Sequence, residues 1–439
     1  MSRTLSAFFS KEKIDAIAKE TDFIKRERTI TGSSFVETLL YSDFDHSKLS
    51  LGELAENFTT STKELITRQA IEQRFTPETV SFFKRLIELA LQELNLVADC
   101  YAFLKHFNQV RIKDSTSFQL PPGMAEKYPG SGGAGSGASI RIQFEYDLKS
   151  GSITDLSIGP YNTNDHIDAT ATLDSIEKGN LIIRDLGYVS TPVLQGIKKR
   201  EAYFINRLRA RDNVSVKQGD KFEELNFSAI HKKMKISALK SIELDVYITQ
   251  EKEPVRMIIE RMPEEEVEKR LRKAKKEAKK KGRKLSARYS VRASLNIFIT
   301  NIDRDVLDKT ELHSVYTLRW QVELIFKIWK SIGEVHKIKK MKLERFESYL
   351  YAKLLWIISN WLIVWNISQF IHSSSDKLLS FYKAFKSLKK NTDKLRSALN
   401  QGLTAIREFI DDQTFLSMNF HLLDKKKNGN SMYDLINIM

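Results

Sequence analysis

The sequence predicts an α/β protein: a mixed sheet with helices on its faces, framed by helical regions at both ends. Three observations lead there. Residues 1 to 105 carry apolar side chains at helical spacing. Residues 107 to 208 switch to alternation, three strands first and then helix and strand in turn. Beyond Tyr316 the chain returns to helical spacing up to its C-terminus.

The N-terminal helices announce themselves by their caps. Ser50 precedes "LGELAENF", Thr67 precedes "RQAIEQRF", and Thr76 with Pro77 opens "ETVSFFKRLIELALQEL". The two shorter helices offer Arg68, Gln69, Gln73 and Arg74 as a DNA-reading surface; a plain helical bundle is the competing interpretation. Next, "QVRIKDS" alternates and sets Val110, Ile112 and Asp114 on one face. "SIRIQFEYDL" and "SITDLSIG" flank Lys149-Ser150-Gly151 and form a hairpin. "DATATLDSIEKG" is a helix closed by Gly179, "NLIIRDLGYVS" a buried strand ending at Asp185, "TPVLQGIKK" a helix and "AYFINRL" a strand.

The stretch from 209 to 300 interrupts this alternation. "IELDVYIT", "VRMIIERM" and "SLNIFITN" are strands. Between the last two lies a helix, "PEEEVEKRLRKAKKEAKKKG", with acids in its first turn, bases after and Gly282 as its stop. Its lysines, Lys273, Lys276 and Lys280 among them, form a basic stripe of the kind that meets phosphate. The expected domains are therefore 1–105, 106–208 together with 301–345, 209–300, and 346–439.

Composition narrows the function. The chain has 439 residues, 41% hydrophobic and 29% charged, enough for a sizeable core in two to three domains. Its formal charge of +15 favours a polyanionic partner. Cys100 is the only cysteine, which excludes an intramolecular disulfide and a cysteine-based zinc site and suits a reducing cytoplasm. The first twenty residues lack the apolar core and small-residue site of a signal peptide. Leu354–Phe370 is the most apolar run, but Ser359, Asn360, Asn366 and Ser368 interrupt it, so it is a buried helix rather than a membrane span. The glycine-rich "PGSGGAGSGAS" lacks the Gly-Lys-Ser/Thr ending and precedes a strand, so it connects strands and does not hold a nucleotide. His166, between Asp165 and Asp168, belongs to a loop and helix-cap cluster, and Asp147 and Asp155 to the hairpin turn. Arg207 ends a strand, where a DNA contact and a structural ion pair are equally open.

The most informative segment is "YTLRWQVELIFKIWK". On a wheel advancing about 100° per residue, Tyr316, Arg319, Glu323 and Lys330 share a stripe roughly 60° wide. Leu318, Val322, Ile325, Trp329 and Ile332 lie opposite. Arg319 and Glu323 pair at i, i+4, as on any helix surface. The aromatic side chains along the stripe need another reason. Two aspartates at strand ends, Asp114 and Asp185, and a glutamate on a later helix would repel one another if brought together. A pair of hard divalent cations relieves that repulsion and clamps both oxygens of an in-line phosphoryl transfer.

The spacing of Tyr316, Arg319, Glu323 and Lys330 is that of the YREK signature. With "KDST" around Asp114 and "IRDLGY" around Asp185, the chain resembles the DDE transposases of bacterial insertion sequences, the insertion-sequence-four type. The resemblance covers nearly the whole chain. It implies a ribonuclease-H-like core with the β-rich insertion before the glutamate, holding two Mg²⁺ (or Mn²⁺) ions on Asp114, Asp185 and Glu323. It implies cut-and-paste transposition: hydrolysis at each element end, a hairpin intermediate in many members, then attack on target DNA by the freed 3′-OH. Tyr316, Arg319 and Lys330 would grip the terminal DNA backbone, the N-terminal helices would bind the inverted repeats, and two copies would pair two ends. Hairpin-forming relatives stack a flipped base on a tryptophan of the insertion. Here Trp320, Trp329, Trp356, Trp361 and Trp365 all lie at or after the signature, leaving Tyr289 or Phe298 as the aromatic stand-in. Two rival classes stand beside this reading: a catalytically silent end-binding protein or repressor, which has no chemical reason to keep three acids, and a basic membrane-associated protein.

Overall fold

The structure, a computed structural model, describes residues 1–26, 29–41, 45, 48–93, 105–132, 137–208, 212–280, 282, 284–285 and 287–423. Cys100 and the centre of the glycine-rich connection lie outside them. The N-terminal region holds α1 (Ser2–Phe8), α2 (Lys11–Glu20), α3 (Gly32–Leu40), α4 (Leu51–Thr62), α5 (Arg68–Glu72) and α6 (Pro77–Glu93). Two of the predicted caps, Ser50 and Thr67, are there. Ser50 and Glu53 form a reciprocal capping box on α4, and the Thr67 hydroxyl accepts the Ala70 amide at the start of α5.

The sheet begins with β1 (Val110–Gln119), β2 (Ser139–Asp147) and β3 (Ile153–Pro160), followed by α7 (Asp165–Ala171), β4 (Leu181–Arg184), α8 (Thr191–Lys199) and β5 (Tyr203–Arg207). The helix expected to run to Gly179 stops at Ala171; Gly179 instead turns the chain into β4 with φ +77°. The next stretch supplies β6 (Val214–Gln218), β7 (Lys221–Glu224), α9 (Phe227–Ile236), β8 (Ser241–Ile248), β9 (Glu253–Arg261), α10 (Glu264–Lys280), α11 (Ala287–Ala293) and β10 (Leu295–Thr300). Its strands do not form a sheet of their own. The order β3-β2-β1-β4-β5-β10-β9-β8-β6-β7 is one continuous ten-stranded sheet, joined where β10 pairs antiparallel with β5. The helices α12 (Lys309–Thr317), α13 (Trp320–Ser331), α14 (Leu343–Ser375), α15 (Phe381–Lys390), α16 (Thr392–Gln401) and α17 (Leu403–Phe420) complete the chain.

The two faces of β1 and β2 carry different chemistry because side chains alternate along a strand. One face is apolar: Phe144 packs its ring 5.0 Å from Trp329 of α13 and 6.4 Å from Trp361 of α14. Helix α14 is the one described helix long and apolar enough to cross a membrane, and 83% of its most apolar window is buried inside the protein. It is a core helix, as the interrupted run implied. It lies so close to the β2–β3 turn that Trp361 Nε1 donates to Gly151 O at 2.8 Å, and a Cβ on Gly151 would sit 2.3 Å from the Trp365 ring.

The other face is buried and ionic. Glu145 accepts from Arg111 on one oxygen and, at 2.8 Å, from Arg184 on the other. Lys113 lies 2.6 Å from Asp155 and 2.5 Å from Asp168. Asp155 is therefore a counter-ion for a buried lysine, not a turn residue. Asp147 does hold the turn, accepting Ser150 N at 3.0 Å. Burial alone would push Glu145 up; Arg184, Arg111 and Lys113 outweigh it and hold the carboxyl well below the usual range. Replacing Glu145 by Gln leaves two buried guanidiniums without a counter-charge. The expected loss is about 3–5 kcal/mol, read as a lower urea midpoint.

Candidate active site

Strands β1 and β4 run parallel with Lys113 opposite Arg184, so Asp114 and Asp185 come side by side at the next step. Asp114 is not at a strand end as expected: β1 continues to Gln119 through its antiparallel pairing with β2, and only the β4 pairing stops. Asp114 shares the face of Ile112, on which α13 packs. The segment expected as one helix is two. The bonds Leu318 N to Val315 O, Arg319 N to Tyr316 O and Gln321 N to Leu318 O are i to i−3, so the chain tightens into a 3₁₀ turn between α12 and α13. Tyr316 is thus at the end of α12, Arg319 in the turn, and Glu323 and Lys330 on α13.

That turn buries what a uniform wheel would have left on a polar stripe. Arg319 is 7% exposed and Tyr316 5%. The Arg319 guanidinium donates to Asp114 Oδ2 at 3.1 Å and to Glu323 Oε1 at 3.0 Å, tying strand to helix. Burial would lower its pKa, but Tyr316, Asp185, Asp114 and Glu323 together raise it. Asp114 is pushed up to about 6, first by burial and further by Asp185 and Glu323; the Ser115 amide and Arg319 oppose the rise. Asp114 therefore feels the charge of both other acids. The Tyr316 phenol, pushed up to about 12 chiefly by burial, is pulled down by Arg319 and Arg207. Neither its hydroxyl nor Arg319 Nε has a hydrogen bond of normal geometry, although both are buried.

Other expected residues lie further out. Lys330 Nζ reaches Ser117 O at 3.4 Å, and burial lowers its pKa. Arg207 donates to Asn296 Oδ1 at 3.1 Å, and Arg270 of α10 donates to the same oxygen at 2.8 Å. Two guanidiniums thus share one neutral acceptor, and Arg270 was not anticipated. Lys273, Lys276 and Lys280 are exposed along α10 and touch none of the acids. Arg68, Gln69 and Gln73 are exposed on or beside α5, whereas Arg74 is half-buried. Phe298 cannot serve as a stacking platform: it is 1% exposed and packs against His313 and Tyr316. Trp320 is 55% exposed, with the Arg319 guanidinium 5.1 Å from its ring.

A further acid went unread in the sequence. Asp165 Oδ1 accepts from Ser115 Oγ at 3.0 Å, Arg141 Nη1 at 3.0 Å and Gln143 Nε2 at 3.1 Å. It opens α7 directly after the cap Asn164, which accepts Ile167 N, so the cap cluster expected here is present and Asp165 reaches out of it to β1 and β2. The only sequence signal was Gly187 in "DLGY", whose missing side chain makes room for Asp165.

Among the described residues, no three His, Cys, Asp or Glu side chains stand close enough to hold an ion as placed. The donor set nevertheless suits a hard divalent cation. Asp114, Asp185 and Glu323 offer only carboxylate oxygens, their mutual repulsion contributes to the raised Asp114, and Arg319 now supplies the positive charge between two of them.

The raised carboxyl has a testable cost. Folded Asp114 keeps its proton up to about pH 6, whereas an unfolded aspartate releases it near pH ~3.9. Between these values the native state binds more protons, so stability falls as pH rises through the window and stays lower above it. Asp114→Asn should therefore raise the melting temperature near neutral pH and have little effect at the acid end of the window. Melting curves across that range check this.

The chain is similar to known proteins along nearly its whole length. The family described as "Transposase DDE domain" matches residues 105–358. The transposase for insertion sequence element IS231F of Bacillus thuringiensis subsp. israelensis is 30% identical over 98% of this chain and 92% of its own length. That of IS1151 of Clostridium perfringens is 29% identical over 100% of this chain and 96% of its own. Among solved structures, the piggyBac transposase synaptic complex with hairpin DNA covers 97% of this chain and 86% of its own, at 10% identity and a TM-score of 0.46. With Asp114 and Glu323 bridged by one buried arginine, Asp185 beside Asp114 at the end of the neighbouring strand, and the family match spanning all three, the chain belongs to the DDE transposases of insertion sequences, enzymes that hydrolyse and transesterify phosphodiester bonds.

Proposed function

We propose that this transposase binds the terminal inverted repeats of its own element and moves it by Mg²⁺-dependent cut-and-paste chemistry, on a core of ribonuclease-H type. The observation that carries the reading is the Arg319 bridge between Asp114 and Glu323, with Asp185 directly after the neighbouring parallel strand. Asp114, Asp185 and Glu323 would hold the metal, with Mn²⁺ as a substitute. Two ions bound there would activate the attacking oxygen and neutralise the leaving one.

The chain's own residues orient the DNA. The unsatisfied Tyr316 hydroxyl and Arg319 Nε sit where a backbone phosphate beside the cut would find two donors. Lys330, its charge disfavoured by burial, regains a partner when a phosphate arrives. Arg207 and Arg270, crowded on Asn296 Oδ1, extend the same cationic track toward α10, where Lys273, Lys276 and Lys280 would meet the flanking duplex. Arg68 and Arg74 would contact the inverted repeat from the N-terminal helices. Two copies would pair two ends, in the bacterial cytoplasm.

The test is cleavage of end DNA with and without Mg²⁺. Glu323→Gln should abolish cutting and keep end binding, because a metal ligand is lost and no phosphate contact is; a variant that still cuts removes Glu323 from the centre. Lys330→Ala should weaken binding and flatten its salt dependence by a slope of about one. An unchanged slope in a binding titration excludes Lys330 as a phosphate contact. A gel that shows tight binding and no cut, at any metal concentration, points to a silent end-binding protein instead.

A further inference from the structure

We infer that Asp165 is the positioning carboxylate of the catalytic centre, fixing the segment that carries Asp114 against the segment that carries Asp185. The inference rests on the proposal that these two aspartates work as a pair.

Its geometry spans both segments. On one side, Asp165 Oδ1 takes the hydroxyl of Ser115, the residue after Asp114. On the other, Asp165 Oδ2 fills the side-chain space of Gly187, two residues after Asp185: a Cβ there would lie 2.8 Å from Oδ2 and 3.5 Å from Cγ. The next residue, Tyr188, donates its hydroxyl to Gln143 Oε1 at 2.6 Å, while the amide nitrogen of the same Gln143 donates to Asp165. Arg141 fixes the carboxylate from a third direction, holding Thr163 O at 3.0 Å and stacking on Tyr161 at 4.6 Å. One side chain on α7 therefore sets the distance between β1 and the loop that leaves β4.

Asp165 does not touch the reacting atoms. Ser115 points to the face of β1 opposite Asp114, so Asp165 lies behind the strand that Asp114 faces away from. It acts through spacing. Phosphoryl transfer tolerates little error there, since a misplacement of about 1 Å costs roughly a hundredfold in rate.

The experiment uses the full chain with four variants: Asp165→Ala, Asp165→Asn, Gly187→Ala, and Asp165→Ala with Gly187→Ala. Three quantities are read: single-turnover cleavage of end DNA, Mn²⁺ binding to the DNA-free protein by electron paramagnetic resonance, and the melting temperature. Asp165→Ala should cut about a hundredfold more slowly, bind Mn²⁺ more weakly, and still bind end DNA with unchanged affinity. Asp165→Asn keeps an acceptor oxygen and should recover at least about tenfold of that loss, one donor bond in free-energy terms. Gly187→Ala should impair both readouts in the wild-type background and cost nothing more in the Asp165→Ala background, because the atom it strikes is gone.

Wild-type Mn²⁺ affinity and cleavage in Asp165→Ala overturn the inference, as do additive effects of the two substitutions. If Asp165→Ala does not fold, Gly187→Ala with wild-type metal affinity and rate overturns it alone. A wild-type chain that never cuts, or a Glu323→Gln variant that does, instead overturns the proposed function. Those controls keep the two failures apart.

Discussion

The candidate site depends on an ion network on the opposite face of its strands. Asp114 and Asp185 are neighbours only because β1 and β4 run side by side, and the underside of that pair is clamped by Glu145 between Arg111 and Arg184. Burying three cations and three anions is costly unless each finds a partner, and a partially formed network is worse than an apolar one. Here Lys113 divides itself between Asp155 of β3 and Asp168 of α7, so the network also ties the hairpin and the following helix to the same strands. This pairing makes the network specific: a slipped register would strand buried charges without their partners.

The upper face of the strands solves the opposite problem. It brings acids close together, and Arg319 offsets the charge of two of them. A single guanidinium in a 3₁₀ turn reaches both β1 and α13, which holds Glu323 over the strands while leaving Asp114 at a raised pKa. A straight helix would place Arg319 one angular step away. The turn between α12 and α13 is therefore part of the site and not merely a connection.

Much of this was legible in the sequence, and the rest was hidden for identifiable reasons. The hairpin of β2 and β3 and the strands β4 and β5 could be read because alternation is a local signal, whereas Asp114 lies inside β1 and Glu323 on α13, where the spacing of Tyr316, Arg319, Glu323 and Lys330 was the pointer. The 3₁₀ turn could not, since every residue from Tyr316 to Val322 is compatible with a regular helix and packing decides the matter. Arg111, Lys113 and Glu145 fall on the polar side of an alternating pattern; Asp168 of α7 and the turn at Thr172–Ser175 cover them, which alternation alone does not reveal. The β6–β7 hairpin is too polar and exposed to give an apolar signature. Phe298 looked available for base stacking because burial by α12 is invisible before the fold is known. Asp165 was hidden because its partners are distributed over β1, β2 and the loop after β4.

The ten-stranded sheet ends on β7, whose four residues, Lys221 to Glu224, are all exposed and three of them charged. The single apolar one, Phe222, folds back on Tyr247 at 4.9 Å under the Lys252 ammonium. An open edge of hydrogen-bonding backbone invites a second sheet to add on, and charges beside that edge discourage it. The charges on β7 disfavour backbone-to-backbone joining at this edge, so encounters there are left to side chains, where specificity can be encoded.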